Sequence, residues 1–508
     1  MVEVPRSFNA TDDLVDRHLR EGRGDSVALH TEAGALTYRQ VAEMVNRAGN
    51  ALRAAGVEME NRVLLLLEDS PEFVASFLGA IKIGAVPVPV STLMRGSDYE
   101  YFLDDSRAKV AIAHRSLWES IQPAAGRPAH LKHSVVVAGA EDFAAWLAEH
   151  SAELRAAATC RDDAAFWLYS SGSTGRPKAA VHLQGDMAYC ADLYARQVLD
   201  LSPDDVVLSA AKLFFAYGLG NSLYFPFRVA ASSILVRARP RPELVFEIIS
   251  RRRPTLFFGV PTLYASMLAL PEAERRYDLS SLRLCVSAGE PLPAELYLRW
   301  KERFGLEILD GIGSTEVLHI FISNRAGRVK PGSTGTVVPG YDARIVDEAG
   351  AQVAAGEIGN LHVRGPSICA CYWNQRAKTR QTLQGEWIVT GDKYYRDEDD
   401  YYWFCGRSDD MLKVGGLWVS PVEVESALVG HPAVLEAAVV GEQDRDGLVK
   451  PRAFVVLKGD GAAGLEEELK SFVKNTLASY KVPRRITFIP ELPKTATGKI
   501  QRFKLRGQ

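Results

Sequence analysis

Apolar positions in the first 150 residues alternate between two spacings. The segments 36–56 and 70–84 carry apolar residues at helical spacing, and Ser70 stands where the second helix needs an N-cap. The segments 61–67 and 86–90 are short apolar runs of the kind that forms buried strands. This alternation predicts a mostly parallel sheet layered with helices.

The remainder of the chain divides into three stretches. A second α/β pattern runs from 200 to 325, and short strands separated by turns follow from 335 to 405. The segment 419–441 predicts a helix and then a strand, and the turn-rich segment 407–416 before it predicts a hinge. A chain of 508 residues is long enough for roughly two or three domains.

The predicted fold class is therefore α/β, with a large and a small domain. The large N-terminal domain, 1–408, would combine layered α/β subdomains with a β-rich subdomain. The small C-terminal domain, 409–508, would be α+β.

Charge and composition exclude several classes of protein. A formal net charge of −3 provides no basic field for nucleic acid. The chain has no run of about 18 apolar residues, and its first residues, MVEVPRSFNATDD, lack the apolar core of a signal peptide. Six cysteines without a CxxC pair or a histidine cluster favour reduced thiols and no zinc. We expect a cytoplasmic protein without nucleic-acid or membrane partners.

The strongest local signal is a loop rich in glycine and hydroxyl groups within AFWLYSSGSTGRPKAAVHL, 165–183. An apolar strand leads into the loop residues Ser170, Ser171, Gly172, Ser173, Thr174 and Gly175, and Lys178 ends it. Hydroxyl and backbone N–H groups donate to phosphate oxygens, glycines let the backbone approach, and the lysine adds positive charge. The loop predicts a phosphate site, and a flexible polar hairpin turn is the alternative.

This loop is not a Walker A motif. Gly175 is followed by Arg-Pro-Lys instead of Lys-Ser or Lys-Thr, and the next residues, AAVHL, favour a strand over a helix. A P-loop kinase or ATPase is therefore disfavoured.

Five further motifs follow the loop in order. They are SAGEPLP (287–293), DGIGSTE (310–316), TGD (390–392), GRSDDMLKVGG (406–416) and PKTATGKIQR (493–502). With YSSGSTGRPK, this ordered set resembles the acyl-adenylate-forming superfamily, which contains acyl-CoA ligases, luciferases and the adenylation domains of peptide synthetases. Within it, FNATDDLVDRHL, KLFFAYGLGN and STEVLHIFISN resemble benzoate–CoA ligases. The resemblance spans essentially the whole chain.

The resemblance implies the acyl-adenylate-forming fold, a mobile C-terminal domain and two half-reactions. A carboxylate would attack the α-phosphate of ATP to give an acyl-adenylate and pyrophosphate, and the thiol of coenzyme A would then displace AMP. ATP, Mg²⁺ and coenzyme A are thereby implied, with benzoate or a similar aromatic acid as substrate. The alternatives are another aryl or acyl acid, a carrier-protein thiol as acceptor, a non-catalytic nucleotide-binding protein and a phosphotransferase. Whether the chain forms a homodimer stays open.

The resemblance also implies residue roles in ATP binding. Thr174 and its neighbours would hold the β- and γ-phosphates, Thr315 would contact the α-phosphate, and Glu316 would bind Mg²⁺. The implied ATP-binding set is Ser171, Gly172, Ser173, Thr174, Gly175, Lys178, Ser287, Ala288, Gly289, Glu290, Pro291, Asp310, Gly311, Ile312, Gly313, Ser314, Thr315, Asp392, Arg407 and Lys499.

Within this set, the segment 287–291 would wall the adenine, and Ile312 would cover one purine face where many family members carry an aromatic residue. Asp392 would accept both ribose hydroxyls, with Arg407 assisting. Lys499 would bridge the substrate carboxylate and ATP.

The remaining implied roles concern domain motion and coenzyme A. Asp409 would be the hinge, which makes Thr174, Glu316, Asp409 and Lys499 the implied catalytic set. Coenzyme A would meet Lys413, Gly415, Gly416 and Trp418, and the two glycines would let the pantetheine arm pass close to the backbone.

The predicted acyl site takes its residues from KLFFAYGLG and GIGSTEVLHI. It consists of Ala216, Tyr217, Gly218, Gly313, His319 and Ile320. The small residues, Gly311 among them, would leave a flat slot for a planar ring, and Tyr217 would supply an aromatic face. His319 would close the pocket or steer the carboxylate. A structural role is the alternative for His319, and equally for His182 beyond the glycine-rich loop.

Overall fold

The structure is a computed structural model. It describes residues 2–94, 96–125, 129–137, 140–170, 176–408, 410–414, 417–443, 449–459, 464–494 and 500–506, with the backbone alone for 123–125, 140, 413, 417 and 418.

The first 150 residues form the predicted alternation of helices and strands. The strands are β1 (Val27–Thr31), β2 (Gly34–Thr37), β3 (Arg62–Leu66), β4 (Val86–Pro89), β5 (Val110–His114) and β6 (His133–Val137). The helices are α1 (Arg17–Arg20), α2 (Tyr38–Ala54), α3 (Pro71–Lys82), α4 (Gly96–Ser106), α5 (Arg115–Ala125) and α6 (Ala140–Ala148). Strands β3 to β6 form a parallel sheet in the order β4-β3-β5-β6, so the parallel sheet predicted for this region is confirmed.

Helices α2 and α3 begin where their capping residues place them. Thr37 accepts a hydrogen bond from the backbone of Gln40, whose side chain accepts one in return from the backbone of Thr37. Ser70 accepts from the backbone N–H of Phe73, and Pro71 occupies the first helical position, as predicted. Every residue of α3 after Pro71 is buried, because this helix lies between layers of the core.

The second α/β region supplies seven of the nine strands of the main sheet, and its first two strands lie outside that sheet. Its strands are β7 (Ala164–Ser170), β8 (Lys178–Leu183), β9 (Val206–Ser209), β10 (Ser232–Ile234), β11 (Leu256–Gly259), β12 (Leu284–Ser287), β13 (Ile308–Gly313), β14 (Ile320–Ser323) and β15 (Thr336–Val337). Its helices are α7 (Asp186–Cys190), α8 (Ala216–Leu219), α9 (Phe225–Val229), α10 (Pro242–Arg252), α11 (Pro261–Ala269), α12 (Ala273–Arg276) and α13 (Ala294–Phe304).

The nine strands of this sheet run in the order β15-β14-β13-β12-β11-β9-β10-β1-β2. The strands from β13 to β1 are mutually parallel, and antiparallel strands close both edges. Motifs that follow β9, β12 and β13 therefore leave the sheet at one common edge, its carboxyl edge.

The predicted β-rich stretch follows. It contains β16 (Asp342–Val346), β17 (Gly359–Arg364), β18 (Cys371–Tyr372), α14 (Arg376–Thr382), β19 (Leu383–Gln384), β20 (Trp387–Arg396) and β21 (Tyr402–Arg407). Five of these strands form one antiparallel sheet. Strand β18 instead pairs with β8, which joins this stretch to the glycine-rich loop region.

The last hundred residues fold around apolar cores of their own. Their elements are β22 (Leu412–Val414), β23 (Leu417–Val419), α15 (Pro421–Val429), β24 (Val434–Gln443), β25 (Val449–Leu457), α16 (Leu465–Thr476) and β26 (Arg485–Phe488). The buried side chains of these cores all come from residues 412–505. Helix α15 and strand β24 match the helix and strand predicted for 419–441. The domain boundary between residues 408 and 409 stays a prediction.

Shorter helical segments complete the described chain. π-Helical segments lie at Asp12–Asp16, Ala191–Arg196 and Gly220–Tyr224, and 3₁₀ turns lie at Thr315–Val317, Ser479–Lys481 and Arg502–Lys504. Across the described ranges, no helix has the length and apolar character needed to cross a membrane. The six cysteines are unpaired.

Candidate active site

The glycine-rich loop joins two adjacent antiparallel strands. Ser170, the last residue of β7, lies opposite Lys178, the first residue of β8. The loop positions Ser171, Gly172, Ser173, Thr174 and Gly175 lie outside the described residues, so their roles stay predictions. The segment after the loop is a strand, as predicted, which agrees with the exclusion of a helix-capped P-loop.

Lys178 and Glu316, two predicted site residues, lie together. The Lys178 Nζ is 3.3 Å from Oε1 of Glu316. The Tyr372 hydroxyl donates to the same Oε1 at 2.7 Å and accepts from Lys178 Nζ at 2.8 Å, and the Ser170 hydroxyl donates to Oε1 at 3.2 Å. The Glu316 carboxylate therefore has three donors on one oxygen.

The charge state of Glu316 follows from these contacts. Burial alone would raise its pKa, but the Lys178 ammonium and the Tyr372 hydroxyl bring the pKa below the ordinary value. The group is thus a preformed carboxylate at neutral pH, held in place before any substrate arrives.

The donor chemistry of this carboxylate fits a magnesium ion. Mg²⁺ prefers hard oxygen ligands and is commonly bound by one or two carboxylates together with phosphate oxygens. The three donors to Glu316 all meet Oε1, so none of them occupies Oε2. Among the described residues, no group of three or more His, Cys, Asp and Glu side chains is arranged to hold a metal.

The predicted adenine wall lies at the carboxyl edge of the main sheet. Ser287 ends β12 and pairs with Asp310 on the neighbouring strand β13. Ser287 and Ala288 are buried, whereas Gly289 is exposed and has a φ of +92°, a backbone conformation that favours glycine. Glu290 and Pro291 are half-buried.

Asp310 is a buried acid at this edge. Its Oδ2 accepts from the backbone N–H of Leu292 at 3.3 Å, and burial raises its pKa well above the ordinary value. A buried carboxyl group with acceptor capacity suits the exocyclic amino group of adenine.

The DGIGSTE segment passes from the core to the surface and back. Gly311 is buried, Gly313 is exposed, and Ile312, Ser314 and Thr315 are half-buried. The Ser314 hydroxyl caps the turn Thr315–Val317 by accepting from the backbone of Val317 at 3.2 Å. The side chains of this segment are accessible at the edge where the adenine wall begins.

Asp392 and Arg407, the predicted ribose contacts, are paired across β20 and β21. They face each other in the strand register, and Nη1 of Arg407 is 2.8 Å from Oδ1 of Asp392. Asp392 is buried to 8% exposure, whereas the Arg407 side chain is about half exposed. The arginine thus fixes the carboxylate before a ribose could meet it.

The acyl-site segment 212–220 leaves β9 at the same carboxyl edge and starts helix α8. Ala216 and Tyr217 are half-buried. The Tyr217 hydroxyl donates to the backbone oxygen of Gly259 at 3.2 Å, which fixes the orientation of its ring. Ile320 is buried at the start of β14.

The structure corrects the prediction that small glycine residues leave open space in the acyl slot. A Cβ on Gly218 would meet the backbone oxygen of Lys212, and one on Gly313 would lie 2.6 Å from the backbone oxygen of His319. A Cβ on Gly311 would lie 2.9 Å from Ile320. The space in which a side chain would lie at each of these glycines is filled by the protein's own atoms, so the glycines do not open a slot there.

His319 is buried and neutral. Its Nε2 faces two acceptors, the backbone oxygen of Tyr217 at 3.3 Å and Oδ1 of Asn221 at 3.1 Å, so this nitrogen carries the hydrogen. Burial lowers its pKa to about 3. A neutral ring whose N–H is already used has no charge with which to steer a carboxylate, so that part of the prediction is wrong. The prediction that His319 closes the pocket remains.

Two of the residues predicted for coenzyme A lie on paired strands. Lys413 and Trp418 face each other in the register of β22 and β23, and their side chains lie outside the described residues. Gly415 and Gly416, between these strands, are likewise outside, as are Asp409 and Lys499. An isolated β-bridge joins Lys494 and Ile500, the described residues on either side of 495–499.

Tyr372 is the site residue that the sequence did not reveal. It is 194 positions from Lys178 and meets it because β18 pairs with β8. The local sequence CYW carries no signal of this contact. Only knowledge of that long-range strand pairing could have found it.

Comparison with known proteins places the chain in a family. The family model described as AMP-binding enzyme matches residues 15–373, and the one described as AMP-binding enzyme C-terminal domain matches 423–499. The chain therefore belongs to the AMP-binding enzyme family. The resemblance to the acyl-adenylate-forming superfamily and the predicted fold class are confirmed.

Two individual relatives are coenzyme A ligases named for benzoate or 4-hydroxybenzoate. The chain is 53% identical to a benzoate–CoA ligase of Thauera aromatica, over 99% of this chain and 97% of that protein. It is 46% identical to a 4-hydroxybenzoate–CoA/benzoate–CoA ligase of Rhodopseudomonas palustris, over 99% of this chain and 94% of that protein.

Solved structures agree with these relatives. The anthranilate CoA ligase AuaEII in complex with anthranoyl-AMP matches with a TM-score of 0.95 and 47% identity, over 99% of this chain and 97% of that one. A benzoate CoA ligase from Burkholderia xenovorans matches with a TM-score of 0.91 and 48% identity, over 98% of this chain and 100% of that one.

Proposed function

We propose that this protein is an AMP-forming ligase that converts benzoate, or a closely related aromatic acid, into its coenzyme A thioester. The observation that carries the proposal is the 53% identity to a benzoate–CoA ligase over nearly the full length of both chains. ATP and coenzyme A are the co-substrates, and benzoyl-adenylate links the two half-reactions.

The chemistry requires positioned charges more than a strong base. A carboxylate is a poor acyl donor because its leaving group would be oxide, whereas AMP leaves readily. The attack of a carboxylate on a phosphate brings two anions together, so catalysis depends on neutralising and orienting them. The preformed contact between Lys178 and Glu316 supports this role, since it holds a cation and a carboxylate ready next to the loop proposed to bind phosphate.

Magnesium is the proposed metal, and Glu316 is the residue that would hold it. When bound, Mg²⁺ would neutralise negative charge on the phosphate oxygens. The residues Ser171 to Gly175 would contact the β- and γ-phosphates, and Thr315 would contact the α-phosphate. Asp310 and the segment 287–291 would receive the adenine, while Asp392, fixed by Arg407, would receive the ribose.

The proposed acyl pocket favours a flat, largely apolar acid. Tyr217 supplies an oriented aromatic ring, Ala216 is a small residue next to it, and the neutral ring of His319, whose centroid is 5.5 Å from that of Tyr217, would close the pocket. Ile320 adds apolar surface. These features support an aromatic acid over a short aliphatic one.

Two orientations of a small C-terminal domain, 409–508, would separate the half-reactions. Lys499 would serve adenylate formation, and Lys413, Gly415, Gly416 and Trp418 would serve coenzyme A. Rotation about Asp409 would exchange them. The separate apolar cores of residues 412–505 support a unit that can turn as a body.

A carboxylate panel tests the proposed function. AMP release from ATP would be measured with benzoate, 4-hydroxybenzoate, anthranilate and acetate, each with and without coenzyme A. We expect benzoate to have the highest kcat/KM and coenzyme A to be required for turnover. Preference for acetate would contradict the aromatic pocket. Turnover only with a carrier-protein thiol would favour the alternative acceptor.

Location and assembly complete the proposal. We expect the protein to act in the cytoplasm, which fractionation of the source cells would test. Sedimentation equilibrium would decide whether it forms a homodimer.

A further inference from the structure

His182 lies on β8, just beyond the glycine-rich loop, and contacts two acceptors. Its Nδ1 is 2.9 Å from Oδ2 of Asp186, and its Nε2 is 2.8 Å from the backbone oxygen of Thr315. The side chains of His182 and Asp186 are 0% and 3% exposed. The imidazole also stacks on Phe166, with 5.2 Å between the ring centroids. The ring is therefore held on all sides within the core.

These contacts determine where the protons lie. A carboxylate oxygen and a carbonyl oxygen both accept hydrogen bonds, so one proton must lie on each side of the ring. Either His182 is an imidazolium facing a carboxylate, or Asp186 holds the shared proton and His182 is neutral with its hydrogen on Nε2. Nε2–H donates to Thr315 in both arrangements. The backbone N–H of Leu183 donates to the same oxygen of Asp186 at 3.0 Å and fixes its position.

The turn Thr315–Val317 is anchored at each of its three carbonyl oxygens. The first accepts from His182, the second from the backbone N–H of Cys369 at 2.8 Å, and the third from the Ser367 hydroxyl at 2.7 Å. The next residue, Leu318, has a φ of +73°, which a leucine adopts only under constraint. The turn is thus fixed by its surroundings in addition to its own hydrogen bonds, which are the Ser314 cap and the bond from Leu318 N–H to the Thr315 carbonyl oxygen at 3.3 Å.

We propose that His182, held by Asp186, is a positioning residue for adenylate formation. It touches no substrate. By holding the Thr315 carbonyl inside the protein, it fixes the places of the Thr315 hydroxyl and the Glu316 carboxylate on the accessible side of the turn. This inference rests on the proposed function, because it concerns the site where the α-phosphate would react.

Three substitutions of His182 separate positioning from folding. His182→Leu removes the donor. His182→Gln keeps an amide N–H at about the reach of Nε2, and His182→Asn keeps a polar group near Asp186 that is too short for Thr315. We expect kcat for adenylate formation, followed by pyrophosphate exchange, to fall about 10- to 100-fold in His182→Leu and His182→Asn. We expect KM for ATP to change less than about threefold, and His182→Gln to recover most of the loss.

His18 provides a matched control. It is equally buried, its Nε2 lies 2.5 Å from the backbone oxygen of Phe227, and its ring packs on Tyr38. His18→Leu should lower the midpoint of urea unfolding about as much as His182→Leu while leaving kcat within about twofold. If His182→Leu does not fold, the comparison of His182→Gln with His182→Asn carries the test.

The outcomes separate this inference from the proposed function. Equal loss of kcat in the His18 and His182 variants, or no recovery in His182→Gln relative to His182→Asn, would overturn the positioning role. The exchange is run with whichever carboxylate the unmodified protein adenylates, so a different acid would refute only the benzoate proposal. Binding of AMP and adenosine, measured by calorimetry, adds a readout without turnover. His182→Leu should weaken AMP binding relative to adenosine binding by no more than about threefold, in keeping with the small change expected in KM for ATP, and a weakening as large as the loss in kcat would overturn the role.

Discussion

The turn Thr315–Val317 and the residues that flank Lys499 are both assigned to the proposed adenylation step, yet their described contacts differ. The turn has each carbonyl anchored by a donor from elsewhere in the N-terminal part, and Glu316 within it has three donors of its own. The described ends of the C-terminal segment are joined by one β-bridge, and Lys494 pairs with Glu436 of the same small region.

The difference suggests a division of labour. Groups that meet phosphate gain most when they are fixed in advance, because no reorganisation is then needed during the reaction. A lysine near the end of the chain, attached to a region with separate cores, is suited to being presented for one step and withdrawn for the next. On this view the N-terminal part provides the same substrate environment in both half-reactions. The C-terminal part changes that environment between them.

Apart from Lys499, the largest effect is expected at the proposed hinge. Asp409→Pro fixes φ near −65° and should hold the C-terminal part in one orientation. We expect thioester formation to fall at least about a hundredfold and adenylate formation to stay within about tenfold. Single-turnover rates of the two half-reactions measure this. Asp409→Ala, which leaves φ free, is the control, and equal losses in both steps would contradict a hinge.

The next effect concerns the acyl pocket. Ala216→Val adds two methyl groups beside the Tyr217 ring, and overpacking costs about 1–3 kcal/mol, or roughly ten- to a hundredfold. The loss in kcat/KM should be greater for 4-hydroxybenzoate than for benzoate, which serves as the internal control. An equal loss for both acids would show that Ala216 does not line the surface that binds the ring.

A smaller effect is expected at Tyr372. Tyr372→Phe removes one of the three donors to Glu316 and should lower kcat for adenylation about tenfold, since hydrogen bonds to charged groups are worth about 1.5–3 kcal/mol and two donors remain. Tyr401→Phe is the control, because that hydroxyl donates to the backbone oxygen of Arg328, outside the site. Similar rates in the two variants would show that Glu316 is held without Tyr372.

The remaining effect is on stability, not activity. Burial raises the pKa of Asp69 to about 6, although Lys212 and the backbone N–H of Leu213 partly offset it. The folded protein therefore holds a proton that the unfolded chain releases near pH 4, and the contribution of this group to stability falls as pH rises from about 4 to about 6. The total is on the order of 3 kcal/mol.

Asp69→Asn keeps an acceptor for Leu213 but does not titrate. The free energy of unfolding in urea, measured at pH 4.5 and 6.5, should therefore fall less with pH in this variant than in the unmodified protein. Asp25→Asn is the control, because the side chain of Asp25 is 87% exposed. An unchanged slope in Asp69→Asn would refute the assignment.

Local features of the fold could be predicted from the sequence, whereas contacts between distant segments could not. The Ser70 cap, the strand after the glycine-rich loop and the β-rich stretch follow from neighbouring residues. Tyr372 was missed because its contact depends on strands far apart in the chain. The role of Gly218 was misjudged because its missing Cβ makes room for the Lys212 carbonyl, not for a ligand. The expectation that His319 could steer a carboxylate failed because burial, which a single sequence does not specify, keeps the ring neutral, and its N–H already meets Tyr217 and Asn221.

The most direct test of the division between the two regions is a separate measurement of both half-reactions in Lys499→Ala. Losing one positioned charge commonly costs about 10²–10³ in rate, so rapid-quench formation of benzoyl-adenylate should slow by at least that factor. Conversion of supplied benzoyl-adenylate to the thioester should stay within about threefold of the unmodified protein. Lys494→Ala, five residues earlier and paired with Glu436, should leave both rates nearly unchanged. If Lys499→Ala slows both half-reactions alike, the lysine has a structural role and the proposed division between the two regions is wrong.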